Sequence, residues 1–409
     1  MSVCDKGALH SIEQAIDALK ATLNSQTATQ NVALSTAHQH VLAQSVYAQV
    51  DVPQWDNSAM DGYALRANDL QQPSNSLPLA GRIAAGDAPE QNLPAGHCIH
   101  ILTGAPVPLG ADTVVAQEDC TISPEQIQFN NCNAGSNIRR RGEEIQQGQL
   151  LLEAGTRLRA QEIGLLASQG YAEGEVYTPL RIGVLSRGNE LCELGQPLKP
   201  GQIYDINSHS LSALLTGLGF AVTHYAKMPD DLQHSIDCLS KASAEQDVLI
   251  SSGGVSVGEE DHIKNAVSTL GQLNLWRVAI QPGKPLAFGT IGNTPWIGLP
   301  GNPAAALITA LIIARPALLH AQGASDCSHQ TLHIPAAFDW KKPRARQQYL
   351  HARLVLQDNG QLHVEIHPKQ SSAMLSAASW ADGLVEIKVQ ETVEKGDLVG
   401  FVGYSGLLS

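Results

Sequence analysis

The sequence predicts a multidomain protein of α/β plus β type, on three observations. Between residues 180 and 319, short apolar runs alternate with stretches of helical spacing, the signature of a parallel sheet with crossovers. On either side, over 53–148 and beyond 321, short apolar runs broken by Pro and Gly or period-two alternation take over, as in β-rich domains. At 409 residues the chain also exceeds one hydrophobic core, since the usual ~150 residues per domain gives two to four.

The elements follow in chain order. Ser11 with Gln14 makes a capping-box pattern, and Ile12, Ala15, Ile16, Leu19 and Leu23 share one helical face, which predicts an amphipathic helix. A weaker helical pattern covers 34–46 through Val41 and Leu42. "SLPLAGRIAAGDAP" and "LPAGHCIHILTGAPVPLGADTVV" then read as short strands with many turns. "LRIGVLS" and "DVLISSGG" are buried-strand runs, and "SHSLSALLTGLGF" and "IKNAVSTLG" have helical spacing. Parallel sheets bind ligands beyond the carboxyl ends of their strands, so a ligand is expected at the glycine-rich end of "DVLISSGGVSVGEED". In "QYLHARLVLQDNGQLHVEIHP", Leu350, Ala352, Leu354 and Leu356 alternate with polar neighbours, Asp358-Asn359-Gly360 turns, and Leu362, Val364 and Ile366 alternate again. That is a hairpin in a small β domain.

Composition excludes some functions. Charged residues are 16%, against about 25% in an average globular protein. The net charge of −13 opposes affinity for a phosphate backbone, so no nucleic-acid partner is expected. Cys4, Cys98, Cys120, Cys132, Cys192, Cys238 and Cys327 are scattered and contain no C-x-x-C pair; they read as buried thiols in a reducing compartment. No leader pattern opens the chain, and no apolar run is expected to approach the roughly 18 residues of a membrane span. A cytoplasmic protein without a membrane partner is the expectation.

Several stretches carry chemistry. "DVPQWDNSAMDGYAL" gathers Asp51, Asp56, Asn57, Ser58, Asp61 and Gly62, residues that build either a turn or a metal or phosphate site. "SSGGVSVGEEDH" places Gly253 and Gly254 after a strand, where backbone N–H groups approach a phosphate closely. It has neither a Walker lysine nor a complete G-x-G-x-x-G, and the adjacent Glu259, Glu260 and Asp261 point to a metal-assisted site. In "QPGKPLAFGTIGNTPWIGLPGNPAAA", Gly283, Gly301 and Pro282, Pro285, Pro300 and Pro303 make rigid turns around one cation, Lys284. That combination suits an oxyanion, while plain turns at sheet ends account for the same residues. "NIRRRGEEI" sets Arg139, Arg140 and Arg141 beside Glu143 and Glu144; in a chain this poor in charge, the arginines are expected to face an anion. "RGNEL" puts Glu190 at a strand end, and "MPDD" supplies Asp230 and Asp231. With Asp61 and Asp261 these carboxylates suit Mg²⁺ completed by substrate phosphates and water.

The motifs "DNSAMDGYA", "LTGAPVP", "GADTVV", "RRRGEEI", "AGTRL", "SRGNEL", "SSGGVSVGEED", "PGKPLAFG" and "LPGNPAAA" occur in this order between residues 34 and 400. In that order they resemble the molybdopterin molybdenumtransferases of MoeA type, also found as the E domain of gephyrin. The resemblance implies an elongated homodimer built from a segmented helical region (1–50 and 148–179), a β-rich inserted domain (51–147), an α/β domain resembling the molybdopterin-adenylyltransferase fold (180–326) and a C-terminal β barrel (327–409). It implies insertion of molybdenum from molybdate into adenylylated molybdopterin, with release of AMP. An upstream molybdopterin adenylyltransferase would supply that substrate.

Carried over by motif, Asp61, Thr103, Glu190, Asp230 and Asp261 correspond to functional polar positions, and Pro300 and Pro303 shape the pocket. The resemblance assigns Mg²⁺, or ordered water at the pyrophosphate, to Asp61, Glu190 and Asp261, with Glu144 a further candidate ligand. It assigns phosphate to Gly253, Gly254 and Ser256, and molybdate to Lys284 with Ser372 and Arg353. The chain departs from the pattern at Gln281, where relatives carry a basic residue, and at His351, a common arginine position with Arg353 two residues on. Glu144 replaces a frequent aspartate, and Asp382 a usual asparagine. Adenylyl transfer from ATP and a non-catalytic scaffold are the alternative functions; the full set of site motifs speaks against the scaffold, and the β-rich insertion and barrel against the adenylyltransferase.

Overall fold

The apolar runs of the alternating region become the centre of the fold: Arg181–Ser186, Val248–Ser252 and Thr294–Leu299 are strands buried over nearly their whole length. A sheet covered on both faces leaves no polar alternation. The computed structural model of the chain describes residues 9–70, 75–225, 227–228, 231–253 and 262–408. Contacts divide it into two units, Met1–Gln44 with Ala154–Ile163 and Ala172–Ser409, and Ser45–Glu153 with Gly164–Tyr171.

In the first unit a six-stranded sheet runs in the order Ala221–His224, Arg181–Ser186, Val248–Ser252, Thr294–Leu299, Pro285–Ile291, Gly271–Arg277. The first four strands are parallel, as the alternation predicts, and Pro285–Ile291 pairs antiparallel with both its neighbours, Thr294–Leu299 and Gly271–Arg277. The sheet is therefore mixed, a correction that the turn explains. Ile291 pairs with Thr294 across Gly292-Asn293, with Gly292 at φ +57°. A two-residue link of Gly and Asn makes a hairpin and leaves no room for a crossover.

From Arg181–Ser186 the chain crosses through helix Asn207–Gly217 to the strand on one side, then through helix Leu232–Glu245 to Val248–Ser252 on the other. This reversal opens a crevice at the carboxyl ends of those two strands.

Helix Ile12–Thr22 forms as expected. Ser11 Oγ accepts from the Gln14 N–H at 3.2 Å and the Ser11 N–H donates to Gln14 Oε1 at 2.9 Å, while Ile12, Ala15 and Leu19 are buried. The helix expected over 34–46 does not form. Leu34–Thr36 makes one 3₁₀ turn, Gln39 takes φ +68°, and Val41 and Leu42 bridge to Arg157 and Val176. A left-handed residue ends helical continuation, and the two buried neighbours find sheet partners instead.

The expectation of no span-length apolar run is also corrected. Pro303–Ala321 is a 19-residue helix with mean hydropathy 1.7, and 83% of its apolar window is buried. Its apolarity serves the core: it packs on helix Ile12–Thr22, and Arg315 within it donates to the carbonyls of Cys327, Ser328 and Gly406.

The C-terminal strands form one sheet in the order Ile280–Gln281, Gln347–Leu356, Gly383–Ile387, Leu398–Gly403, Leu332–Pro335, with Leu362–Ile366 also paired to Gln347–Leu356. Ala336 bridges Val364 and the Ala337 N–H donates to Val364 O at 2.8 Å, which brings the first strand of this domain back to the hairpin. The hairpin turns at Asp358-Asn359-Gly360, with Leu356 opposite Leu362. Leu350, Ala352 and Val364 lie in its core.

The second unit is built from short strands. Leu79–Ile83, Cys98–Ile101, Gly62–Leu65 and Thr113–Ala116 form one sheet, and Ser76–Leu77, Ile127–Phe129 and Cys120–Ile122 another. Tyr63, Leu65 and Val115 fill one core beneath these strands, and Ala64, Ile99 and Val114 a second.

Candidate functional site

Strand Ile280–Gln281 leaves the connections of the α/β sheet and pairs in parallel with Gln347 and Gln348 of the C-terminal sheet. The "QPGK" turn is thereby carried to the junction of the two sheets, where a cavity of about 600 Å³ opens. Gly253, Lys284, Pro300, Gly301 and Asn302 line it from the α/β side, and Trp340, Arg344, Arg346, Gln348, His351 and Ser372 from the C-terminal side.

Three of these side chains are cations, and among the described residues no Asp or Glu lines the cavity. Arg346 donates to Ile280 O at 3.2 Å, and burial, reinforced by the neighbouring Arg344, pulls its pKa below the ordinary arginine value. Like charges crowded without a counter-ion favour an incoming anion. Trp340 Nε1, Gln348 Nε2 and His351 Nε2 are buried in the wall without a hydrogen-bond partner among the described residues. Each such group costs about 1–3 kcal/mol unless something accepts from it. The N-terminus of the Pro303–Ala321 helix adds partial positive charge at the same place. Ser372 is fixed there by Asn302 Nδ2 at 3.1 Å and by the Ala305 N–H, which donates to Ser372 O at 3.2 Å.

At the mouth of the crevice Asn207, nearly buried, donates through Nδ2 to Ser252 Oγ and Gly301 O, both at 2.7 Å. It ties the end of strand Val248–Ser252 to the loop that borders the cavity. Asp205 beside it accepts from the Ser208 amide and hydroxyl. Burial raises its carboxyl, but the nearby Ser186 hydroxyl and the two hydrogen bonds from Ser208 outweigh that and hold it below the usual carboxylate range.

Of the residues expected to bind ligand, Gly253, Lys284, Pro300 and Ser372 meet around the cavity, and Pro303 starts the helix beside it. Two expectations are corrected. The Gly253 N–H already donates to Leu299 O at 3.0 Å, continuing the sheet, so it has no proton for a phosphate. Arg353 does not line the cavity: its guanidinium pairs with Glu365 at 3.0 Å and stacks 4.6 Å over Trp380. Glu190 is exposed, with its carboxylate folded over Gly188, and its carbonyl accepts from the Ile203 N–H at 2.7 Å. Gly254, Ser256, Asp261 and Asp230 lie outside the described residues.

In the second unit, Asp61 and Thr103 are brought together. Asp61 Oδ1 accepts from the Thr103 N–H at 2.7 Å and from its hydroxyl at 2.8 Å, and these bonds hold the Asp61 carboxyl below its usual range. The anion that the arginine run faces is the chain's own. Arg141 Nε lies 2.6 Å from Asp51, and Arg140 Nη1 lies 2.6 Å from Asp56. Asp51 is held low by the Gln147 N–H first and Arg141 second. Asp51 and Asp56 therefore organise this loop, whereas Asp61 keeps Oδ2 outside those bonds. Glu144 is exposed, its N–H donating to Val52 O. Among the described residues no three His, Cys, Asp or Glu side chains gather as a metal cage. Mg²⁺ commonly takes only one or two carboxylates and completes its shell with substrate oxygens and water, which a singly occupied carboxylate such as Asp61 fits.

Arg344, Arg346, Gln348 and Asn207 were not singled out from the sequence. "KKPRAR" (341–346) was the available signal, a basic run like 139–141 in which the one nearby carboxylate, Asp339, lies beside Lys341 and not beside Arg344 or Arg346.

Three family models match the chain in order: "MoeA N-terminal region (domain I and II)" over residues 10–170, "Probable molybdopterin binding domain" over 183–320, and "MoeA C-terminal region (domain IV)" over 333–402. A protein of Haemophilus influenzae named molybdopterin molybdenumtransferase is 35% identical over 401 residues, covering 97% of this chain and 99% of that protein. One of the same name from Nostoc sp. is 39% identical over 306 residues, 72% of this chain and 70% of that one. The crystal structure titled molybdopterin biosynthesis moeA protein from Pyrococcus horikoshii superimposes with a TM-score of 0.80 at 25% identity, covering 97% of this chain and 100% of that chain.

Proposed function

The chain belongs to the MoeA family, and from that premise we propose that it inserts molybdenum into adenylylated molybdopterin, consuming molybdate and releasing AMP. The observation that carries this reading is the cavity that no Asp or Glu lines among the described residues, in which Lys284, Arg344 and Arg346 occur with unpartnered donors. A tetrahedral dianion satisfies both the crowded positive charge and the orphaned N–H groups.

Lys284 and Arg346 hold molybdate as substrate, Arg344 adds field, and Ser372 donates a hydroxyl hydrogen bond. Asn207 keeps the cavity's loop in register with the carboxyl end of the sheet, where the pterin substrate belongs by the switch-point rule. Asp61, kept ionised by Thr103, is a candidate ligand for Mg²⁺; Glu190, Glu144 and, outside the described residues, Asp261 are others. When bound, Mg²⁺ supplies neutralisation of charge on the pyrophosphate. Asp230, also outside the described residues, stays a candidate polar group. A homodimer supplied by a molybdopterin adenylyltransferase completes the reading.

The experiment incubates purified protein with adenylylated molybdopterin, Mg²⁺ and molybdate. Molybdate-dependent AMP release is expected. ATP consumption in its place would identify an adenylyltransferase, and pterin binding without turnover a scaffold.

A further inference from the structure

We infer that His351 binds the oxyanion as an uncharged Nε2–H donor and that Tyr404 is the positioning residue that orients it. The inference rests on the reading of the cavity as the molybdate site.

His351 is 2% exposed and lies in the cavity wall. Its backbone is clamped: the His351 N–H donates to Gln370 Oε1, and Gln370 Nε2 donates back to His351 O at 3.0 Å. Among the described residues the ring has one hydrogen-bond partner, Tyr404 Oη, 3.0 Å from Nδ1, and Nε2 has none.

The direction of the Tyr404 bond follows from proton accounting. A half-buried phenol still favours an acceptor for its proton, and among the described residues the one side-chain partner of Tyr404 is His351 Nδ1. Tyr404 therefore donates, Nδ1 is bare, and the ring proton sits on Nε2. Among the described residues the groups found beside the ring are His367, whose N–H donates to His351 O, and Tyr404, while the cations Lys284, Arg344 and Arg346 line the same cavity. None is an acid. Burial first, and His367 second, push the imidazole down to about 4, in keeping with a neutral ring. A buried Nε2–H without an acceptor, in a cavity shaped for an anion, is completed when an anionic oxygen takes that proton in a hydrogen bond.

Nitrogen NMR of the full-length protein reads the tautomer directly. An Nε2–H ring with a bare Nδ1 is expected across pH 6.5 to 8.5, and sodium molybdate should move the Nε2 signal. In parallel, calorimetry measures molybdate affinity. His351→Phe should weaken it about tenfold or more, the loss expected for one hydrogen bond to a charged group. His351→Gln, which returns an amide N–H to the Nε2 position, should restore most of it. Tyr404→Phe should fall between them. A charged ring, an Nδ1–H tautomer, an unmoved Nε2 signal, or equal affinities for the Phe variant and wild type would overturn the inference. If Lys284→Ala and Arg346→Ala also leave affinity intact, the cavity reading itself fails; if they weaken binding while His351→Phe does not, only the role of His351 fails.

Discussion

Asp61 Oδ1 receives both the amide and the hydroxyl of Thr103, 42 residues away in sequence, at 2.7 and 2.8 Å. One oxygen of the carboxylate is thereby fixed and the pair becomes a rigid unit. Removing the hydroxyl with Thr103→Val leaves the amide bond, so the Asp61 carboxyl should titrate at higher pH than in wild type, measured by carbon NMR. AMP release should fall about ten- to hundredfold, as for loss of a group that orients a ligand, and Asp61→Ala should fall further. Unchanged AMP release in Asp61→Ala at saturating Mg²⁺ would reduce this stretch to a turn.

The cavity separates two classes of arginine. Arg346→Ala and Lys284→Ala should each raise the molybdate concentration for half-maximal turnover about tenfold or more. Arg353→Ala, which breaks a pair with Glu365 outside the cavity, should leave it unaltered. A steady-state molybdate titration of the three variants decides it, and an effect confined to Arg353→Ala would reverse the assignment.

Asp205 gives a pH dependence with a definite sign. Its folded pKa lies below the ordinary 3.8, so its contribution is present above that value and lost as pH falls through the lower, folded one. Asp205→Asn should therefore be less stable than wild type at pH 7, and the gap should shrink towards pH 3. Thermal unfolding at both pH values reads it; a gap that widens in acid would contradict the assignment.

Gly62 packs against the neighbouring strand so closely that a Cβ there would collide with Val115 O. Gly62→Ala should destabilise the second unit by about 1–3 kcal/mol, the usual range for overpacking. Denaturant unfolding should show a lower midpoint, and an unshifted midpoint would mean that the strand pair yields freely.

Much of this fold was legible because its signals are local. The Ser11–Gln14 cap, the buried-strand runs at 182–185 and 248–252, and the Asp358-Asn359-Gly360 turn each depend on neighbours within a few residues. The antiparallel pairing of Pro285–Ile291 was not read from the sequence, although its signal, Gly292-Asn293, is equally local. The site was less legible, since its chemistry depends on which side chains already have partners. Arg140 and Arg141 look like an anion site in sequence, but Asp56 and Asp51 occupy them in the fold. Arg344 and Arg346 look like a solvated run, but pairing of Ile280–Gln281 with Gln347–Leu356 carries them to Lys284. Arg353 shares a strand with His351, yet Glu365 and Trp380 hold it elsewhere.

The claim that the junction of the two sheets is an oxyanion site is tested most directly by an anomalous-scattering map from crystals soaked in molybdate. A molybdenum peak is expected in the cavity, within hydrogen-bonding reach of Lys284 and Arg346. A peak at Arg353, or one anywhere outside the cavity with the cavity left empty, would contradict it.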